Sequence, residues 1–171
     1  MTKEWIEGFW KSLEQDLRTI TEEVVLENPK EDCYLLSSMF TTVKGGKGVA
    51  LFEAQMYDYG VQGNVLEIVV TPREYSVKES AMPELEKAVA RINYFTPLGA
   101  FGVHAPTKQL FLRYVVPLDE TEEVGKSVKN VRKTYEILGG VFGNVYSALK
   151  AVGTGESSYD KEVEAGNIPK Q

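Results

Sequence analysis

The chain has 171 residues, of which 43% are hydrophobic and 26% charged, and its formal net charge is −6. This composition is typical of a single globular domain and excludes the fibrous and disordered classes. A negative chain whose basic residues alternate with acids repels phosphate backbones, so we expect no nucleic-acid partner.

Cysteine usage and the apolar runs indicate the compartment. The lone Cys33 excludes an intramolecular disulfide. The first residues carry acids at Glu4 and Glu7, where a signal peptide needs an unbroken apolar stretch. No apolar run approaches the roughly 20 residues of a membrane span. The sequence therefore predicts a cytoplasmic protein without membrane contact.

The first half of the chain predicts one helix and three strands. Large apolar residues recur on one helical stripe over about 5–20. The pair Asn28-Pro29 then predicts a loop. Apolar residues alternate with polar ones in three segments that we interpret as strands, at about 33–43, 49–57 and 64–71.

The second half predicts a helix, two strands and a long final helix. The second helix covers about 81–95, and the strands cover about 98–104 and 109–118. Asp119 is the expected N-cap of the last helix, with Glu122 placed as in a capping box. Its apolar residues follow a heptad spacing, which we interpret as a helix lying across a sheet rather than a coiled coil.

These elements predict an α+β fold in the order α-β-β-β-α-β-β-α, with helices packed on a five-stranded antiparallel sheet. Residues 1–152 form a single domain in this interpretation. Residues 153–171 are polar and have few large apolar side chains, so we expect a flexible C-terminal tail.

Motifs for catalysis, cofactors and metals are missing from the sequence. The run Gly45-Gly46-Lys47-Gly48 lacks the following hydroxyl residue of a phosphate loop, and it predicts a hairpin turn. His104 is the only histidine, and one histidine with one cysteine does not make a zinc site. Glu53 and Glu67 on adjacent strands are the single acid–base pair that the pattern offers. We therefore predict a protein that is not an enzyme and needs no cofactor.

The second face of the predicted sheet is unusually apolar. Glu53, Glu67 and Arg113 interrupt it, but most of its residues are large and hydrophobic. An uncovered apolar face marks an interaction site, whereas a helix, the tail or a second subunit are the alternatives that would cover it. The residues that we predict to bind a partner are Val49, Leu51, Tyr57, Val65, Val69, Phe111 and Val115.

The middle of the chain resembles the YbjN family of bacterial sensory transduction regulators, which is similar to the type III secretion chaperone-like fold. The segments that carry the likeness are Ala90-Arg91-Ile92-Asn93-Tyr94-Phe95, Ala100-Phe101-Gly102-Val103, Leu110-Phe111-Leu112-Arg113-Tyr114 and Leu118-Asp119. The resemblance implies a small, acidic, often dimeric protein without enzymatic activity that binds a segment of a client protein. It also implies a homodimer formed over roughly 85–103, through Leu85, Val89, Ile92 and Phe101.

Two classes of function remain open at this point. The first is a protein-binding, chaperone-like or regulatory module. The second is a small-molecule binder with a pocket between the curved sheet and the last helix, lined by Phe52, Tyr114, Tyr135 and Phe142. A hydrolase built on Glu53, Glu67 and His104 is a more distant third.

Overall fold

The computed structural model describes residues 1–21, 23–30, 33–40, 50–60, 63–73 and 75–170. These residues form an α+β fold in which an open antiparallel sheet of six strands is joined by four α-helices. In chain order the elements are α1 (Lys3–Leu17), β1 (Val24–Lys30), β2 (Cys33–Phe40), β3 (Ala50–Asp58), β4 (Asn64–Pro72), a 3₁₀ turn (Glu79–Ala81), α2 (Met82–Phe95), β5 (Ala100–His104), β6 (Gln109–Leu118), α3 (Val124–Thr154) and α4 (Tyr159–Glu164). The glycine-rich turn predicted at 45–48 lies outside the described residues.

The strand order is β1-β2-β3-β4-β6-β5, and all neighbours are antiparallel. The prediction of five strands was wrong because Asn28-Pro29 lies within β1 instead of a loop. Since β1 is an edge strand, the missing N–H of Pro29 removes no central ladder bond. The pairing with β2 shifts between Glu27 and Lys30, which accommodates the two residues as an irregularity.

One face of the sheet forms the core with the helices. Leu36, Phe52, Ile68 and Leu112 alternate with outward residues on four adjacent strands and are completely buried. Above them, α1 buries Phe9, Trp10, Leu13 and Leu17, and α3 buries a stripe that includes Val131, Leu138, Phe142 and Leu149. The heptad spacing of the last helix therefore serves packing within the chain, as the helix-on-sheet interpretation expected.

The start of α3 differs from the predicted capping box. Its N-cap is Glu123, whose side chain makes no capping hydrogen bond. Asp119 instead accepts hydrogen bonds from the backbone N–H and the hydroxyl of Thr121, at 2.8 Å and 2.7 Å. A short acidic side chain near its own backbone favours such a local turn, which competes with capping a helix further on.

The segment predicted as a flexible tail is folded against α2. Gly155 ends α3 in a left-handed conformation (φ 71°), and α4 follows. Ile168 is completely buried, and Arg91 Nε donates to the carbonyl of Pro169 at 3.0 Å. Composition predicted flexibility because large apolar residues are few here, but Tyr159, Val163 and Ile168 are enough to join the core.

Asn93 closes the free edge of the sheet at β5. Its side-chain amide donates to the carbonyl of Phe101 at 2.9 Å, and its side-chain oxygen accepts from the Phe101 N–H at 2.7 Å. The two groups are those that a further strand would use. Helix α2 thus blocks strand addition at this position, which is one way that proteins protect sheet edges.

Replacing Asn93 by alanine is expected to lower the free energy of unfolding by about 1–3 kcal/mol, because both Phe101 backbone groups lose their partner. Chemical denaturation would measure the change. Asn130→Ala is the matched control, since Asn130 is exposed on α3; it is expected to stay within about 0.5 kcal/mol of the parent chain. Equal stability of the two variants would contradict the role of Asn93.

Candidate functional site on the open face

The open face is the side of the sheet opposite the helices. The strand register shows which residues lie on this face: Tyr57 pairs with Val65, Glu53 with Val69, and Glu67 with Val115. Residues directly opposite each other on neighbouring strands lie on the same face of the sheet, so the partners in each pair point to the same side. Six of the seven residues predicted to bind a partner lie on this face: Leu51, Tyr57, Val65, Val69, Phe111 and Val115. The seventh, Val49, lies outside the described residues.

No described helix packs on the open face. Tyr57 is 36% exposed, and the other five residues are half-buried. None of the six belongs to the core or to the side chains packed against it. On the same side of edge strand β1, Val25 is 52% exposed. The described part of the chain thus presents an apolar sheet surface that its own helices leave free.

One depression on the open face has a volume of about 270 Å³ and is lined by Leu35, Glu53, Gln55, Tyr57, Glu67 and Val69. The Tyr57 hydroxyl donates to Gln55 Oε1 at 2.9 Å. Desolvation by the surrounding side chains, followed by the negative charge of Glu67, raises the pKa of Tyr57. The depression therefore combines an apolar surface with two carboxylates and a neutral tyrosine hydroxyl.

A second depression, of about 290 Å³, is lined by Val69, Thr71, His104, Gln109, Phe111 and Arg113. The Phe111 ring lies directly over Gly102 of β5, where an added Cβ would overlap Phe111 Cζ and come within 2.9 Å of Cε2. Glycine at this position leaves room for the outer end of the ring beside the neighbouring strand. Val69 lines both depressions, so they are adjacent.

An ion pair between Glu67 and Arg113 stands where the two depressions meet. This pair changes the interpretation of the predicted carboxylates. In the register Gln55, and not Glu53, is opposite Glu67, so the two carboxylates are diagonal neighbours. His104 lines the other depression, and its Nδ1 is 2.7 Å from the Thr107 hydroxyl. The three groups considered for a hydrolase are therefore not assembled around one point.

The residues predicted for a dimer are found inside the protomer. Leu85, Val89, Ile92 and Phe101 are 0%, 9%, 2% and 4% exposed, and all four belong to the core. Side chains that are already buried in one chain have no surface left for a second subunit. This assignment of interface residues is corrected, while dimerisation itself stays a prediction.

The rings predicted to line a pocket under the last helix instead pack on one another. Phe52 and Phe142 are completely buried and Tyr135 is 5% exposed. The rings of Phe52 and Tyr135 meet edge-on with centroids 4.9 Å apart, and Phe142 stacks on Phe101 at 6.1 Å. Tyr114 is half-buried at the margin of this core. Aromatic packing fills the space around these residues.

Sequence reasoning missed Leu35, Gln55, Thr71 and Gln109, which also line the depressions. Leu35 alternates with the buried Leu36 and Ser38 on β2, so strand periodicity could have found it. Thr71 and Gln109 are polar residues at strand ends. An apolar pattern carries no signal for them.

Within the part of the chain that the structure describes, no group of three or more histidine, cysteine, aspartate or glutamate residues is arranged to hold a metal ion. Among the same residues, no helix has the length and apolar composition to cross a membrane. Comparison of the chain with protein-family models, curated proteins and solved structures finds no match. The resemblance to the YbjN family therefore stays a prediction.

Proposed function

We propose that this protein is a non-enzymatic, chaperone-like or regulatory module that binds a segment of another protein on its open face. The observation that carries the proposal is the apolar sheet surface that the described helices leave free, with two adjacent depressions in it. Contiguous apolar surfaces of this kind are uncommon on soluble proteins that have no partner.

The shape of the face fits an extended peptide segment. Side chains two residues apart in such a segment point the same way, so consecutive ones can enter neighbouring depressions. Val69 between the depressions would lie beneath the peptide backbone. Burying a valine or leucine side chain contributes about 1.5–3 kcal/mol, which makes the two depressions the main source of affinity.

The charge of the face specifies the partner further. Glu27, Glu53 and Glu67 lie on this side of the sheet. Arg113 of β6 lies on the same side, and its positive charge is already paired with Glu67. Glu53 makes no ion pair with any described residue. We therefore expect a segment that combines large apolar side chains with a lysine or arginine that meets Glu53.

A labelled twelve-residue peptide of alternating leucine and threonine with two lysines is expected to bind the protein, with the affinity read by fluorescence anisotropy. Val69→Lys is expected to weaken binding about tenfold or more, because it removes apolar contact and repels the peptide charge, together worth about 1.4 kcal/mol or more. The same peptide with glutamate in place of lysine is expected to bind the parent chain more weakly than the lysine peptide does. For Val69→Lys, the difference in affinity between the two peptides is expected to be smaller.

Ile137→Lys is the matched control, because Ile137 is 50% exposed on α3, away from the sheet. It is expected to bind the lysine peptide as the parent chain does. Circular dichroism and thermal unfolding would establish that both variants are folded. Equal affinity of Val69→Lys and the parent chain, or an equal loss in Ile137→Lys, would rule out the open face as the binding surface.

A further inference from the structure

The charged side chains of the open face are divided between its two depressions. Glu53 and Glu67 both line one of them, which we call the acidic depression. Arg113 and His104 line the other, which we call the basic depression, and among the described residues no carboxylate lines it. The remaining polar side chains of the two depressions carry no charge: Gln55, Tyr57, Thr71 and Gln109. The face therefore has an acidic side and a basic side.

Glu53, Val69 and Arg113 form one row straight across the sheet. Glu53 pairs with Val69 in the register of β3 and β4, and Val69 pairs with Arg113 in the register of β4 and β6. Neighbouring strands are about 4.8 Å apart, so the backbones of Glu53 and Arg113 are about 10 Å apart. The two charged residues thus flank Val69, which separates the depressions.

Arg113 retains hydrogen-bonding capacity beyond its ion pair. Its side chain is 51% exposed, and its hydrogen bond to Glu67 is made by Nε. The guanidinium group has further N–H donors on its two Nη atoms, and among the described residues these have no acceptor. Planar donors of this kind suit a carboxylate, so Arg113 can bind a second one from a partner.

Glu53 is the available acid on the other side of the row. The carboxylate of Glu67 is held by Arg113, and the Glu67 side chain is only 19% exposed. Glu53 has no ion pair with any described residue. A partner with one kind of charge would match one depression and oppose the other, whereas a partner with both kinds would match both.

We propose that the segment bound on the open face is bipolar: a lysine or arginine on one side of its apolar residues pairs with Glu53, and an aspartate or glutamate on the other side pairs with Arg113. This inference rests on the proposed function and specifies its partner more closely. Alternate residues of an extended segment point the same way, so residues two positions outside the apolar pair also face the sheet. The face presents side chains and no strand edge, so both orders of the two charges along the segment fit.

Three peptides test the proposal by fluorescence anisotropy. The reference is the leucine–threonine peptide with one lysine on each side of its leucines, and in two bipolar peptides glutamate replaces the first or the second lysine. At about 0.15 M salt, which screens charges more than about 8 Å apart, at least one bipolar peptide is expected to bind about threefold or more tightly than the reference. The net charge of −6 favours the reference peptide, so overall charge does not explain such a preference.

Variants of the ion pair test whether Arg113 causes the preference. Arg113→Gln is expected to abolish it, and Glu67→Gln is expected to increase it, because Arg113 then loses its partner within the chain. The double variant Glu67→Gln/Arg113→Gln keeps the net charge of the parent and is expected to show no preference. Lys129→Gln is the matched control, since Lys129 is exposed on α3; it is expected to keep the preference. Circular dichroism would establish that all variants are folded.

Two results would overturn the bipolar partner and leave the open face as the binding surface. In the first, neither bipolar peptide binds the parent chain more tightly than the reference, although Val69→Lys weakens binding of the reference. In the second, Arg113→Gln and Lys129→Gln reduce the preference equally, which would show an effect of net charge. A Val69→Lys protein that binds all three peptides as the parent chain does would instead contradict the proposed function, and this inference with it.

Discussion

Val89→Glu is expected to lower the free energy of unfolding by about 3–5 kcal/mol, because it places an unpaired carboxylate inside the protomer. Val89 is 9% exposed and lies on the face of α2 that joins the core. Domains are typically stable by about 5–15 kcal/mol, so the variant would retain only part of its stability. Urea denaturation at several protein concentrations measures the loss, which is expected to be independent of concentration.

Ala90→Glu is the control, since Ala90 is the next residue of α2 and is exposed. Its free energy of unfolding is expected to stay within about 0.5 kcal/mol of the parent chain. Light scattering coupled to size exclusion would report the mass of all three proteins. A Val89→Glu protein of unchanged stability but half the parent mass would mean that this side of α2 faces another subunit, contrary to the packing described above.

Gly153→Ala is expected to lower the free energy of unfolding by up to about 2 kcal/mol, although alanine is the better helix former. An added Cβ would overlap the Tyr75 hydroxyl oxygen and would lie 3.0 Å from Tyr75 Cζ and 3.2 Å from Leu85 Cδ2. The Tyr75 hydroxyl is held by a hydrogen bond of 3.1 Å to the carbonyl of Leu149. Overpacking of about 1–3 kcal/mol is therefore expected to exceed the gain of about 1 kcal/mol in helix propensity.

Gly140→Ala is the comparison within the same helix. Gly140 is exposed and an added Cβ would meet nothing within 4 Å, so this variant is expected to gain about 1 kcal/mol. In a Tyr75→Phe background the hydroxyl is gone, and the loss from Gly153→Ala is expected to shrink. Equal gains from both glycine replacements, measured by thermal unfolding, would show that Tyr75 moves aside without cost.

The elements with strong periodicity were predictable. Alternation in 64–71 and 109–118 and the helical stripe in 81–95 agree with β4, β6 and α2 to within about one residue. Prediction failed where local signals competed. Pro29 suggested a loop although it is tolerated on an edge strand, and Asp119 suggested a cap although it forms a turn with Thr121.

The candidate site was only partly predictable for a related reason. Alternation assigns Val65 and Val69 to the face opposite Leu66 and Ile68 whatever the strand order. An apolar stripe does not say what it packs against, and for this reason Val89 was assigned to a subunit interface although it is buried within the chain. The Glu67–Arg113 pair depends on β4 lying beside β6, which follows from topology.

By itself, the sequence determined the α+β class and the two-sided character of the sheet, because both follow from spacings between residues that are close in the chain. The tertiary structure alone decided which face the described helices cover, that the C-terminal segment packs on α2, and that the Trp5 indole N–H donates to the carbonyl of Glu122. Each of these depends on contacts between residues far apart in the chain. Local pattern carries no information about such contacts, since the same stripe or ring can meet a helix, a strand, a ligand or solvent.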